Sequence, residues 1–314
     1  MWTYSDSRAA VRDALRLSRA MTFKSAVAGL PLGGGKGVIM LPAGTEPPTG
    51  EDRRAVLLDF GDTVQMLDGA YLTAEDVGTS EPDMQAISEA TPHVTGLATE
   101  RGGSGDPSPW TALGVEAAIR VACERVFGSL SLEGRSVAVV GVGSVGGRLA
   151  ELLAAGGAQL VLADIDERRR DLADGLGARW ADPQSAFTAD VDVLAPCALG
   201  AVLDEDTVPL LRCRAIAGAA NNQLADDAVG ELLAARDILW VPDFVANAGG
   251  VVNIAVELEP EGYAAERAEV RVRAVADTVR TVLDHADATG ATPLAAAMEI
   301  ARRRVAEAAS PAPA

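Results

Sequence analysis

A chain of 314 residues with 48% apolar content is long enough for two ordinary domains, each with its own buried core. Its formal charge of −18 argues against phosphate-backbone binding, which needs basic patches, so no nucleic-acid partner is expected. Two isolated histidines (His93 and His285) and three cysteines without CxxC spacing leave no metal site in view, and the odd cysteine count suits a reducing compartment.

The first twenty residues carry charges throughout and lack the apolar core of a signal peptide. No apolar run of about 18 residues follows, so a cytoplasmic protein without a membrane span is expected. Helical spacing predicts a helix over residues 7–21, with Ala10, Val11, Leu15, Leu17 and Met21 as an approximate apolar face. The next stretch, GLPLGGGKGVIM, invites comparison with a phosphate-binding P-loop. That pattern needs a glycine at Leu30 and a hydroxyl at Gly37, and it fails on both. A second helix is predicted over 51–67, followed by the strand-like and loop segment YLTAEDVGTS. Residues 98–109, ATERGGSGDPSP, read as a linker or ligand loop.

From Ser136 the pattern changes. SVAVVGVGSVGG is a β-branched run ending in a glycine turn and opening a helix, and AQLVLADIDE is a second strand. DVDVLAPCA, AIAGAANN and ILWVPDFVANAGG each end a short apolar strand in a loop of small or amide residues. Strands alternating with helices predict an α/β fold with a doubly wound parallel sheet, with ligands at the carboxyl ends of the strands. Beyond Gly262 two helices are expected, broken near ATGATP, and SPAPA reads as a frayed tail.

Gly141, Gly143 and Gly146 form a GxGxxG turn between strand and helix, with Ser144 and Val145 inside it. Such a turn lets pyrophosphate approach the backbone and sit on the helix amino end. Asp164 follows Gly141 by 23 residues, near the spacing of an acid that accepts from the ribose 2′-hydroxyl, and its charge favours NAD over NADP. Of 27 basic residues, only Lys24 and Lys36 are lysines. A buried lysine can release its proton near neutrality, whereas arginine cannot, so this pair points to chemistry. The glycines around Lys36 would allow a substrate or cofactor ring close to the backbone. Asp76, taken alone, reads equally well as a turn or capping aspartate.

Together these stretches resemble the glutamate, leucine, phenylalanine and valine dehydrogenase family, with the leucine/valine branch nearest. The matches are MWTY, DALRLSRAMTFKSAVAGLPLGGGKGVI, YLTAEDVGTSEPDM, GGSGDPSPWTALGV, GVGSVGG, PCALGAVLDEDTVPLL, IAGAANNQL and VPDFVANAGGVVNIAVEL, in family order. The resemblance implies an N-terminal α/β substrate domain (1–108), a Rossmann-like NAD-binding domain (109–285) and a C-terminal helix with tail (286–314) that packs back on the first domain. It also implies reversible oxidative deamination of an amino acid to a 2-oxo acid and ammonium, and a homo-oligomer.

By the same resemblance, Lys24 holds the substrate α-carboxylate, Lys36 is the catalytic lysine and Asp76 exchanges a proton with the nitrogen. Thr111 and Asn222 orient nicotinamide and substrate, with Asn221 as the alternative to Asn222. Cys197 and Ala198 fall in the cofactor loop. Ala74, Val251 and Ile254 line an aliphatic side-chain pocket with nothing basic to pair with glutamate, so leucine, valine or isoleucine is expected and phenylalanine is the rival. In the family, MW-x-Y comes after a helix, strands and a Gly-Gly segment. The expectation is therefore a start upstream of Met1 or, failing that, a shortened form with an exposed sheet edge. A non-catalytic NAD-binding protein is the rival from another class. A hydroxy-acid dehydrogenase would need a catalytic histidine, and neither histidine has the context.

Overall fold

The computed structural model describes residues 1–309; the SPAPA tail lies outside them. Among these residues the larger unit is built on a six-stranded parallel sheet of β3 (Ser136–Val140), β4 (Gln159–Ala163), β5 (Arg179–Trp180), β6 (Val193–Pro196), β7 (Ala215–Ile216) and β8 (Leu239–Trp240). Their order is β5-β4-β3-β6-β7-β8, so the winding reverses between β3 and β6. The strands read as unbroken apolar runs because both faces are covered. Val137 and Val139 of β3 enter one core with the helices Ser108–Phe127, Ser144–Ala155 and Val275–Thr289, while Ala138 between them enters a second core with Leu194, Ile216 and Trp240. Strand β5 escaped the sequence pattern because its two residues, an exposed arginine and a half-buried tryptophan, make no apolar run.

The smaller unit holds a two-stranded parallel sheet, β1 (Trp2–Tyr4) beside β2 (Met40–Pro42). The helices Gly50–Gln65 and Glu81–Ile87 pack on each other around Leu57, Met84, Ile87 and Val94, with Met1 and Ile39 beside the strands reaching that core. Arg53 joins them, donating to both oxygens of Asp83 at 2.8 and 2.7 Å. The segment YLTAEDVGTS is not a strand; a single bridge pairs Thr73 with Val94, and the rest is loop because its polar groups satisfy one another locally.

The first helix runs Ser7–Val27, six residues beyond the expected end, and its expected apolar face is covered only in part: Ala10 is buried and Leu17 and Met21 are partly buried. Val11 and Leu15 are 59% and 67% exposed, whereas the last turn, with Ala26 and Val27, enters the main core. There the helix Pro293–Ala309 packs on it, and Arg304 donates to the carbonyls of Ala26 and Val27 at 3.0 and 2.6 Å. The Ala26 carbonyl also accepts from Gly29 N–H at 3.0 Å, and carbonyls in the last turn of a helix generally need such partners from outside it. After Gly262 there are three helices rather than two, Ala265–Arg273, Val275–Thr289 and Pro293–Ala309. The last break comes at Gly290 (φ 67°), within ATGATP, so the division set at 285/286 falls inside a helix.

Candidate active site

At the switch point between β3 and β6, the GxGxxG turn meets the end of β6. Gly141 has φ 96°, and a Cβ there would lie 2.6 Å from that of Ala198. A Cβ at Gly146 would lie 1.9 Å from the Gly141 carbonyl, so only glycine lets the helix pack on the turn. Cys197 anchors the same junction, its N–H donating to Val140 O at 2.8 Å. Burial pushes its thiol up to about 12, which leaves it a small packing residue rather than a nucleophile.

A Cβ at Gly143 would meet no protein atom within 4 Å, and no side chain caps the helix Ser144–Ala155 behind it. Open amides at a helix amino end suit a pyrophosphate. Ser144 is exposed on that first turn, and Val145 packs back toward the core. Asp164, just past β4, accepts from Val142 N–H at 2.8 Å and from Asp166 N–H at 3.0 Å. Its carboxylate has lone pairs to spare for a ribose hydroxyl. These residues fit a dinucleotide.

The glycine-rich loop answers a different need. A Cβ at Gly34 would sit 2.1 Å from Thr22 Oγ1, at Gly35 2.4 Å from Tyr71, and at Gly37 2.7 Å from Phe60. The glycines therefore let the loop lie flat on the first helix and on Tyr71, whose hydroxyl accepts from Gly37 N–H at 2.9 Å. On that side the space at Gly34, Gly35 and Gly37 is taken by the protein, whereas a Cβ at Gly33 would meet nothing within 4 Å. The loop delivers Lys36 to Asp76, and the two form an ion pair, 20% and 50% exposed respectively. Burial lowers the pKa of Lys36.

Lys24, in the last turn of the first helix, faces the loop after β7. Its Nζ lies 3.5 Å from Asn221 Oδ1, which also accepts from Asn247 Nδ2 at 2.8 Å. The asparagine that Lys24 reaches is thus Asn221; Asn222, next to it, has a left-handed backbone at φ 53°. Burial lowers the pKa of Lys24 to about 8, opposed by Asp243 and assisted by Lys36. Asp243 is itself pushed up by burial and accepts from Gln223 N–H at 2.7 Å.

Asn247 had no role in the sequence reading. It is 5% exposed, its amide also donates to Ala219 O at 3.0 Å, and its Oδ1 has no partner. A buried oxygen without a partner, linked to Lys24 through Asn221, is free to accept from a ligand. Its signal in the sequence was the amide closing the β8 loop, NAGG. Thr111 stands opposite: its hydroxyl donates to Pro107 O at 3.0 Å, and a Cβ at Gly250 would lie 2.8 Å from it. Ala74, Val251 and Ile254 are all partly exposed, the first two residues before Asp76 and the others on the helix Gly249–Glu257.

Comparison with known proteins gives this arrangement its context. The family model for Glutamate/Leucine/Phenylalanine/Valine dehydrogenase matches residues 159–311, and the model for the dimerisation domain of the same dehydrogenases matches residues 2–93. The chain belongs to this family. The leucine dehydrogenase of Bacillus subtilis (strain 168) is 43% identical over 97% of this chain and 82% of its own. The valine dehydrogenase of Streptomyces coelicolor is 40% identical over 98% and 84%. Among solved structures, the L-tryptophan dehydrogenase from Nostoc punctiforme has 36% identity and a TM-score of 0.81 over 97% of this chain and 86% of that one. The chain is an amino-acid dehydrogenase, and such an enzyme needs a nicotinamide cofactor. Among the described residues of this dehydrogenase, no group of three His, Cys, Asp or Glu side chains could hold a metal ion. None of its described helices is long and apolar enough to cross a membrane.

Proposed function

We propose that the chain catalyses NAD-dependent, reversible oxidative deamination of leucine, valine or isoleucine to the 2-oxo acid and ammonium. The observation that carries this reading is the Lys36–Asp76 ion pair, with half-buried Lys24 near enough for the charge of Lys36 to act on it. Lys24 holds the α-carboxylate as a point charge, with the amides of Asn221 and Asn247 beside it. Lys36, its proton loosened by burial, polarises the water or carbonyl at Cα. Asp76 exchanges a proton with the substrate nitrogen. The nicotinamide, when bound, accepts a hydride from Cα. Gly141, Gly143 and Gly146 bring the turn to the pyrophosphate, with Ser144 and Val145 in its first turn and Cys197 and Ala198 behind it. Asp164 takes the ribose hydroxyls, and Thr111 orients the ring.

Ala74, Val251 and Ile254 form the side-chain pocket. None of them is cationic, so the second carboxylate of glutamate would be left unpaired there. Two further features support a homo-oligomer: the match of residues 2–93 to a dimerisation-domain model, and the exposed pair Val11 and Leu15 on the first helix. The test is NAD and NADP reduction across leucine, valine, isoleucine, phenylalanine and glutamate. The aliphatic substrates with NAD should win. A preference for glutamate or for NADP would refute the assignment.

A further inference from the structure

A junction between the two units lies outside the proposed chemistry. Glu257 ends the helix Gly249–Glu257, three residues beyond Ile254. Its Oε2 accepts from Gly96 N–H at 2.9 Å, from Ser104 N–H at 2.9 Å and from the Ser104 hydroxyl at 2.6 Å. Ser104 is 2% exposed, and its carbonyl accepts from Asn253 Nδ2 at 3.1 Å. Asn253, wholly buried, accepts in turn from the Tyr263 hydroxyl at 2.8 Å. Hydrogen bonds to a carboxylate are about twice as strong as neutral ones, so three on one oxygen make a firm anchor.

The anchored loop leads directly to the catalytic segment. Thr95, just before Gly96, donates to Thr73 O from its N–H at 2.8 Å and from its hydroxyl at 3.1 Å. Thr73 N–H donates to His93 O at 3.0 Å. Ala74 is the next residue along from Thr73, and Asp76 follows two later. Glu257 therefore touches two halves of one site. Its own helix carries Val251 and Ile254, while Gly96, Thr95 and Thr73 carry its hold to Ala74 and Asp76.

We infer that Glu257 is a positioning residue that sets the distance between the Val251–Ile254 wall and the Ala74–Asp76 loop. It thereby governs both proton transfer at Asp76 and the side-chain length the pocket prefers. This rests on the reading above, in which both halves face one substrate.

The test compares the full chain with its Glu257→Gln, Ser104→Ala and doubly substituted forms. NAD reduction is followed with leucine and with valine, and backbone hydrogen exchange is followed over residues 73–80 and 93–98. Glu257→Gln should lower kcat by roughly 10–100-fold, since small misplacements at a reacting centre cost that much. The leucine-to-valine ratio of kcat/KM should shift by about threefold or more. KM for NAD should stay within about twofold, a split that general loosening of the fold would not produce. Exchange should quicken at Thr73, Thr95 and Gly96. Ser104→Ala should act in the same direction but less, and the double form should fall short of the product of the two. If Glu257→Gln fails to fold, Ser104→Ala carries the same comparison.

Unchanged exchange, with an unchanged substrate ratio, would overturn the inference and leave only an architectural link. If the unaltered chain reduces NAD with no amino acid, the functional reading fails instead. The exchange at Thr73 and Gly96 then still decides whether Glu257 holds the Asp76 loop.

Discussion

Lys36 and Asp76, forty residues apart in the chain, meet as a partly exposed ion pair. Their side chains would work as one unit in proton transfer. Lys36→Ala and Asp76→Asn are each expected to lower kcat by ~10²–10⁴-fold. The double substitution should be little worse than either alone, because groups that act together are strongly non-additive. NAD binding, measured by titration calorimetry, should be unaffected; its loss would count against this assignment.

Lys24 supplies a pH prediction. Burial holds its pKa at about 8 in the free protein, so the ammonium is present below that pH and lost above it. A bound carboxylate favours the ammonium and raises the pKa again. Affinity for the 2-oxo acid, which has no amine of its own to titrate, is therefore full below about pH 8. Above that it should fall by about tenfold per pH unit, with proton uptake on binding. Calorimetry in buffers of different ionisation heat reads both. A flat affinity between pH 7 and 9.5 would exclude Lys24 as the carboxylate partner.

Two neighbouring glycines should behave oppositely. A Cβ at Gly34 would lie 2.3 Å from the backbone nitrogen of Thr22 and 2.4 Å from the Ser18 carbonyl, so the loop must move. Gly34→Ala should cost about 1–3 kcal/mol in thermal unfolding, the usual range for overpacking, and it should lower kcat by displacing Lys36. Gly33→Ala meets nothing within 4 Å and should change neither. Equal tolerance at both positions would contradict the packing account of this loop.

Asp164 sets the cofactor prediction. Asp164→Asn keeps an acceptor for Val142 N–H but removes the charge that repels a 2′-phosphate. The preference for NAD over NADP should narrow by about tenfold, equivalent to ~1.4 kcal/mol. Steady-state kinetics with both cofactors measures it, and an unchanged ratio would move the discrimination elsewhere.

Much of this site was legible in the residue string because its chemistry depends on local pattern. Strands β3, β4 and β6 are apolar on both faces, and the glycine turn and acid follow at set spacings within one βαβ stretch. Lys24 and Lys36 stood out because the chain otherwise uses arginine. Other features depended on what packs against what. The first helix has apolar residues along its length, and contact with Arg304 and the helix Pro293–Ala309 buries its last turn. Asn221 and Asn222 are equivalent as letters, and the contacts of Asn221 with Lys24 and Asn247 separate them.

The sequence by itself determined the doubly wound sheet and the glycine turn between β3 and its helix, and it singled out Lys24 and Lys36 as the two lysines. Periodicity and short-range spacing are properties of the chain alone. Only the tertiary structure decided why the loop at Lys36 is glycine-rich, that Asn247, linked to Lys24 through Asn221, keeps an orphaned oxygen, and that Glu257 ties the pocket wall to the Asp76 loop. Each of those depends on atoms brought together from distant parts of the chain, where close packing and unsatisfied hydrogen bonds arise.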